Sequence, residues 1–418
     1  MKAQIISIGD ELLIGKTLNT NAAFIGNLLT ENQINVTKIS VVGDDEQSIK
    51  DAFEYSSKNF DVAIVTGGLG PTHDDITMKC IKEFFETELI ENEKILENIK
   101  SIFARRGREV TDINKEQALV PKCSEPIPNI MGTAPGSWIE KDGWIFISMP
   151  GVPSEMEMMF SKYVLPKLIE RRGEVADITK SKTFSTTGIP ESTLFEKLGD
   201  LTTLLNGGKV AFLPNQFGVK VRVNATAATN EEADNKITEI EQRIRTIVGR
   251  YIYTCKEETL EEVVARLLTD RGLTIATAES CTGGALANRL TNISGSSIFF
   301  NRGVVTYSNG AKVELLRVDE DMIDKHGAVS IEVARQMAEG IRSTSGTDIG
   351  IATTGIMGPK SDFSDKPVGL VYIGICDENM VTAKEFRFGE NRLLNKDRTS
   401  QAALEMLRRC ILGIEYDQ

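Results

Sequence analysis

The sequence predicts an α/β protein: two doubly wound α/β domains joined by a small α+β segment. Three observations carry that prediction. β-Branched strands alternate with helical stretches from residue 1 to about 172, and again from 256 to 418, the pattern of sheets covered by helices on both faces. The intervening stretch, 173–255, changes texture to a few alternating strands and one polar-faced helix. Finally, 418 residues is the length of two or three domains at roughly 150 residues each.

In chain order, Lys2–Ile8 reads as a strand, and Thr20–Glu31 as a helix capped by Asn19 or Thr20. Val36–Val42 is the next strand, Gln47–Lys58 a helix and Asp61–Thr66 a nearly all-apolar strand. A helix around Asn92–Arg106, a strand pair near Ser137–Met149 and a helix from about Ser154 complete the first domain. In 173–255, Lys209–Phe212 and Val219–Ala225 read as strands, the second alternating Val219, Val221, Val223, before a helix over Asn230–Val248. This order resembles a KH-type RNA-binding module but has no GxxG loop to clamp a nucleic-acid backbone, so a structural or dimer-spacing role is expected. The last domain opens with the helix Leu260–Asp270, the strand Leu273–Ala278 and the helix Gly284–Leu290. Ile298–Tyr307 is a strand and Ser330–Ser343 a helix capped by Ser330; two strands, Asp348–Thr354 and Val368–Cys376, precede a terminal helix from about Asn395 to Ile414.

Composition narrows the function classes. With 60 Asp and Glu against 48 Lys and Arg, the net charge is −12, which argues against a nucleic-acid partner. No apolar run approaches the roughly 20 residues of a membrane helix, and the start shows no leader peptide, so a cytoplasmic protein without a membrane partner is expected. The six cysteines are spread without a CxxC pair, the pattern of reduced thiols rather than a disulfide framework. Only His73 and His326 are present, which excludes a His-rich zinc site.

The densest signal in the first half is Asp61-Val-Ala-Ile-Val-Thr-Gly-Gly-Leu-Gly-Pro-Thr-His-Asp-Asp75. A buried strand ends in Gly67, Gly68 and Gly70, and a helix is expected to start around Thr72–Asp75. Glycines let a ligand approach the backbone, and helix N–H groups favour an anion. The spacing is neither GxGxxG nor a Walker loop. Asp74 and Asp75 would repel a phosphate unless a divalent cation such as Mg²⁺ sits between; alternatively they only complement the helix dipole. Asp10 and Glu11, after the first strand in Ile5-Ile-Ser-Ile-Gly-Asp-Glu11, belong to the same strand-end crevice. A phosphate-rich nucleotide with a metal is the reading.

In the last domain, Thr277-Ala-Glu-Ser-Cys-Thr-Gly-Gly284 leaves a strand and enters a helix. Ser280 there is either a helix cap or a nucleophile near N–H groups that stabilise an oxyanion. A nucleophile needs a base, and His326 and Lys312 are both candidates, with Tyr307 placed to relay or orient a proton. The turn Thr353-Thr-Gly-Ile-Met-Gly-Pro359 is suited to a substrate phosphate or amide.

Together these segments resemble the bacterial competence/damage-inducible CinA family. Ile8-Gly-Asp-Glu-Leu-Leu-Ile-Gly15, Gly67-Gly-Leu-Gly-Pro-Thr-His-Asp-Asp75, Gly132-Thr-Ala-Pro-Gly136 and Pro150-Gly-Val-Pro-Ser-Glu-Met156 look like its N-terminal signatures. Ala278-Glu-Ser-Cys-Thr-Gly-Gly284, Val305-Thr-Tyr-Ser-Asn309, His326-Gly-Ala-Val-Ser330 and Lys366-Pro-Val-Gly369 look like its C-terminal ones. The resemblance implies a molybdopterin-binding-like domain over 1–172 that hydrolyses ADP-ribose with a divalent metal, a KH-like connector over 173–255, and an amidase over 256–418. The amidase would deamidate nicotinamide mononucleotide to the nicotinic acid form without a cofactor, feeding pyridine nucleotide salvage. Its serine matches Ser280, its lysine base Lys312 and its tyrosine Tyr307, which demotes His326 to a structural role. Substrate contacts would come from Thr282, Gly283, Gly284, Thr354, Gly355, Gly358 and Arg392, and in the first domain from Gly67, Gly68, Gly70 and Thr72. Metal ligands would come from Asp74 or Asp75 with Asp10 or Glu11. The partners implied are small nucleotides and further copies of the chain, in a homodimer or higher homo-oligomer.

The sequence departs from the family at Gly355-Ile-Met-Gly-Pro359, where Met357 replaces a small residue and no glycine pair follows; a bulkier side chain there implies a narrower pocket. Two rival functions are a molybdopterin adenylyltransferase-like activity in the first domain and a non-catalytic role in competence or DNA uptake.

Overall fold

The computed structural model describes residues 1–70, 75–105, 107–173, 178–360 and 365–415. It divides into two compact units, Met1–Thr179 with Ala227–Thr229, and Lys180–Thr226 with Asn230–Gln418. No helix among the described residues is long and apolar enough to cross a membrane.

The first unit is built on strands β1 (Lys2–Ile8), β2 (Asn35–Val42), β3 (Val62–Thr66), β4 (Leu89–Glu91), β5 (Leu119–Pro121), β6 (Glu125–Ile127), β7 (Gly136–Lys141) and β8 (Trp144–Met149). Its main sheet runs β2-β1-β3-β8-β7-β6, with β4 and β5 forming a separate ribbon. The first four strands are parallel and the last two antiparallel. Period-two alternation sends Ile5, Val62 and Ile64 to one face, against Ile25, Leu29 and Phe160. It sends Ile6, Ala63 and Val65 to the other, against Ile49, Phe53 and Cys80. Both faces are therefore covered by helices, which is what keeps a parallel sheet dry. Asn19 caps the helix Thr20–Glu31 through a bond from the Ala22 N–H.

Strand order reverses between β1 and β3, so the loops after their carboxyl ends diverge and leave a crevice. The chain turns there by close backbone contact. Gly67 adopts φ +107°, and a Cβ on it would lie 2.2 Å from the Ile8 carbonyl oxygen. Of the expected helix start at Thr72–Asp75 only Asp75 is among the described residues, and it precedes the helix Thr77–Phe84; the Thr77 N–H donates to the Gly68 carbonyl and its hydroxyl to the Gly67 carbonyl.

The second unit holds two sheets. Strands β9 (Ile178–Thr186), β10 (Lys209–Asn215), β11 (Gly218–Ala227) and β12 (Ile252–Thr254) form the order β10-β11-β9-β12. Val219, Val221 and Val223 point inward as their alternation predicts, meeting Ile237, Ile240 and Ile244 of the helix Asn230–Val248. The larger sheet comprises β13 (Ile275–Glu279), β14 (Phe300–Val305), β15 (Ile349–Gly355), β16 (Leu370–Cys376) and β17 (Val381–Arg387), ordered β14-β13-β15-β16-β17. β13 is parallel to both neighbours, whereas β15, β16 and β17 pair antiparallel. Helices Leu260–Arg271 and Arg392–Leu412 cover one face and Ile331–Ser345 the other. Order reverses about β13, which places the serine loop at the crevice between the ends of β14 and β15.

Gly67→Ala is expected to lower the stability of the first unit by about 2–3 kcal/mol, since it adds a backbone clash to an unfavourable φ. Gly143→Ala, also at positive φ but with open space around it, is expected to cost about 1 kcal/mol. Thermal unfolding of the two variants separates the terms, and equal losses would contradict the close-approach account.

Candidate functional site

At the serine loop, β13 ends in Glu279, whose carboxylate is 1% exposed. It accepts from the N–H groups of Gly284 (2.9 Å), Leu286 (3.1 Å) and Ala287 (2.7 Å). These are orphan donors at the start of the helix Ala285–Thr291, and an anion suits that end of the helix dipole. The neighbouring strands pin the loop: the Ser280 N–H donates to the Thr353 carbonyl, and the Thr306 N–H to the Glu279 carbonyl. Thr282 and Thr353 hydroxyls meet at 2.6 Å.

Lys312 is the centre of the arrangement. Ser308 caps the helix Asn309–Leu316 through the Ala311 N–H, and that helix turns Lys312 inward until it is 1% exposed. Its Nζ lies 3.2 Å from Ser280 Oγ and donates to the Thr306 carbonyl at 2.8 Å. Burial disfavours the ammonium form, so the Lys312 pKa falls below the ordinary lysine value of 10.5. The same burial pushes the adjacent Cys281 thiol up to about 12, keeping it protonated and unreactive. Ser280 has a base in contact.

The remaining expected residues divide. Tyr307 is exposed, and its hydroxyl accepts from Arg392 Nη2 at 3.1 Å; Arg392 Nη1 donates to the Gly358 carbonyl at 3.0 Å. Tyr307, Arg392 and Gly358 thus form one chain of contacts. The tyrosine hydroxyl meets Arg392 rather than the Ser280–Lys312 pair whose proton it was expected to relay or orient. The Gly284 N–H, expected among the substrate contacts, is taken by Glu279. Thr282 and Gly283 remain, their N–H groups bonded to no acceptor among the described residues. The Thr354 hydroxyl is committed to the Ala328 carbonyl, and Gly355 allows close approach of the Leu370 carbonyl; both act on the fold of the turn. Met357 does not narrow a pocket: it is 3% exposed and packs into the core with Leu404 and Val371. His326 sits at a helix end, 3.7 Å from Glu332. Two residues escaped the sequence reading. Glu279 looks like the last residue of a strand, and Lys396 carries no motif, yet its Nζ stands 3.2 Å from where a Gly283 Cβ would lie.

In the first unit, a cavity of about 480 Å³ is lined by Gly67, Gly68, Gly70, Glu11, Asp75 and Glu155, with Gly9 and Asp44. The glycines make room for carboxylates as well as ligand: a Cβ on Gly70 would lie 2.5 Å from Asp75 Oδ2, and one on Gly9 2.6 Å from Glu11 Oε1. Asp10 turns away to a reciprocal pair in which each Asp10 and Asp44 N–H donates to the other's carboxylate; Asp44, not Asp10, lines the cavity. Thr72, His73 and Asp74 lie outside the described residues. Among the described residues no three of His, Cys, Asp or Glu converge closely enough to hold a metal. The donor set is nonetheless all oxygen, and Mg²⁺ ordinarily takes one or two carboxylates and completes its shell with phosphate and water. The residues fit a cation that arrives with a phosphorylated ligand.

Three family models match consecutive stretches of the chain. They are the "Probable molybdopterin binding domain" over residues 4–170, the "Damage-inducible protein CinA KH domain" over 181–254 and the "CinA C-terminal domain" over 257–411. A competence-damage inducible protein of Caldicellulosiruptor saccharolyticus is 43% identical over 417 residues, 99% of this chain and 100% of its own. A CinA-like protein of Chloroherpeton thalassium is 43% identical over 417 residues, 98% of this chain and 99% of its own. Among solved structures, the protein CinA from Thermoplasma acidophilum is 38% identical, covers 40% of this chain and 97% of that one, and has a TM-score of 0.37. Relatives this similar from end to end settle the family: the chain belongs to the competence-damage inducible CinA family.

Proposed function

We propose that the second unit is a Ser–Lys amidase acting on nicotinamide mononucleotide, and that the first unit hydrolyses ADP-ribose with a divalent metal. The observation that carries the amidase reading is the buried Lys312 amine 3.2 Å from the Ser280 hydroxyl. As the free amine, Lys312 takes the Ser280 proton while Oγ attacks the carboxamide carbon. The Thr282 and Gly283 N–H groups, which have no acceptor among the described residues, are the donors left for the developing oxyanion. The proton passes from Lys312 to the leaving nitrogen, and ammonia departs from an acyl-Ser280. Water then attacks, Lys312 accepts its proton, and the carboxylic acid leaves as Ser280 regains its hydrogen. Arg392 and Lys396, on the first turns of one helix, suit the nucleotide phosphate.

In the first unit the glycine backbone at 67, 68 and 70 lets a diphosphate approach. Asp75 and Glu11 would hold the cation. Held there, a cation would supply the positive charge that lets a diphosphate approach these carboxylates. Water attack on one phosphorus then gives AMP and ribose 5-phosphate. The match to a molybdopterin-binding domain favours one second reading, transfer of AMP to a pterin, which the product distinguishes. Both substrates are charged nucleotides, in keeping with a cytoplasmic location. Exposed Val305, Tyr307 and Leu393 near the edge strand β14 support a homo-oligomer.

Ammonia release from nicotinamide mononucleotide tests the amidase. Ser280→Ala is expected to abolish it, and Lys312→Ala to reduce kcat by about 10²–10⁴-fold; full activity in either variant contradicts the mechanism. Because the base acts only when neutral and burial lowers its pKa, kcat/KM is expected to rise with pH through a value below 10.5 and then level off. A flat profile over that range contradicts a lysine base. For the first unit, chelation by EDTA is expected to stop AMP formation from ADP-ribose and Mg²⁺ to restore it, with Asp75→Asn lowering the rate about 10-fold or more. Unchanged cleavage after chelation removes the metal from the account.

A further inference from the structure

Two turns converge on the cavity of the first unit. Gly132-Thr-Ala-Pro-Gly136 contributes Thr133 and Ala134, and the turn that enters the helix Pro153–Met159 contributes Gly151, Val152 and Glu155. A Cβ on Gly151 would lie 3.4 Å from the Gly67 Cα, so this second turn packs directly on the glycine loop that would seat a diphosphate. Glu155 follows on the first turn of the helix and is half-buried.

An acidic residue in a first turn can do no more than complement the helix dipole. Glu155 is instead drawn away from its own helix: Oε2 accepts from Asn129 Nδ2 at 2.7 Å. Asn129 is 4% exposed and its amide has one way round. Its Oδ1 accepts from the N–H groups of Met131 and Gly132, and Nδ2 also donates to the Ala134 carbonyl. Both donors and both acceptor positions are filled, which fixes an N–H toward Glu155. Gly132 completes the seat, since a Cβ there would lie 2.2 Å from Glu155 Oε2. Among the described residues Glu155 Oε1 has no hydrogen-bond partner, and no lysine, arginine or histidine pairs with the carboxylate. Nor does Glu155 join Glu11 and Asp75 in a group of three close enough to hold a metal. One oxygen is anchored and the other is open, in the lining but apart from the residues that would hold the cation. Gln117 Oε1, on the same lining, is buried without a donor among the described residues, an acceptor that a water or a ligand hydroxyl would satisfy.

We propose that Glu155 is the general base of the first unit, the group that takes the proton of the water attacking the diphosphate. This rests on the reading of the first unit as an ADP-ribose hydrolase. In the step, one O–H bond of the water breaks and its proton passes to Glu155 Oε1, while the water oxygen forms a bond to one phosphorus. The bond from that phosphorus to the bridging oxygen breaks, and the bridging oxygen keeps the electron pair as part of the departing phosphate. Glu155 then releases its proton to solvent. With the charge of the diphosphate held elsewhere, orienting and deprotonating the nucleophile is the task left to a side chain in phosphoryl chemistry. Asn129 acts through Glu155, as a positioning residue.

The test compares Glu155→Gln with the parent in the full chain, by steady-state hydrolysis of ADP-ribose with Mg²⁺ and by calorimetry of AMP binding in Mg²⁺. Glutamine keeps a carbonyl for Asn129 to bind but cannot take a proton. The expected result is a kcat about 10²–10⁴-fold lower, with KM, the Mg²⁺ concentration for half-maximal rate and the Kd for AMP all unchanged. Intact AMP binding also reports that the cavity has kept its fold. A parent that forms no AMP from ADP-ribose removes the hydrolase reading, and this proposal with it. A parent that forms AMP while Glu155→Gln keeps its kcat leaves the hydrolase standing and overturns the base. Loss of rate through a raised Mg²⁺ requirement or weakened AMP binding overturns it too, and makes Glu155 a ligand instead.

Discussion

The second unit is organised around a cost: an amine is held out of water beside a hydroxyl. A lysine that is 1% exposed loses the hydration of its ammonium form, and among the described residues the compensation is one carbonyl, that of Thr306, and the Ser280 hydroxyl. Folding therefore favours the neutral amine. The linkage has a definite sign. The unfolded chain binds a proton at this lysine up to 10.5 while the folded chain releases it earlier. Between those two values stability rises with pH, and below them the full cost is present. Selection tolerates such a cost where activity needs it.

Everything nearby reads as support for that placement. Ser308 starts the helix at a point that turns its fourth residue inward. Glu279 ties down three N–H groups of the following helix and so fixes where Ser280 can stand. That carboxylate also removes Gly284 from the oxyanion set, which narrows the candidate donors to Thr282 and Gly283. Cys281, a stronger nucleophile in water, is silenced by burial. Chemistry at this loop is decided by hydration more than by residue type.

Much of the fold was legible because its signals are local. The alternation of Val219, Val221 and Val223 gave the buried face of a strand, and Asn19 and Ser330 announced their helices by the residue types that cap. The Ser280 loop and the glycine loop at 67–70 were legible for the same reason. The helix carrying Lys312 was not. It is short, and its pattern is inverted, with Lys312 buried and Leu315 exposed, so polarity points the wrong way round. Strand β17 hid behind Lys384, Glu385 and Arg387, since an edge strand needs no apolar run. Asp44 lies one strand away from the motifs whose cavity it lines, and the Asp10 beside the motif turned instead to pair with it. Long-range pairings of this kind leave no mark in spacing.

The first unit solves a different electrostatic problem, gathering carboxylates around glycine backbone where the second gathers hydrophobic cover around an amine. Both place the candidate site where a sheet reverses its strand order. The central claim concerns the amine, and the most direct measurement is its own titration. Protein carrying ¹³C-labelled lysine, with the Lys312 resonance assigned by its loss in Lys312→Met, can be followed by NMR across the alkaline range. The account predicts that this resonance titrates well before the other lysines, at a pKa below 10.5. Titration together with the surface lysines, or above them, would contradict it.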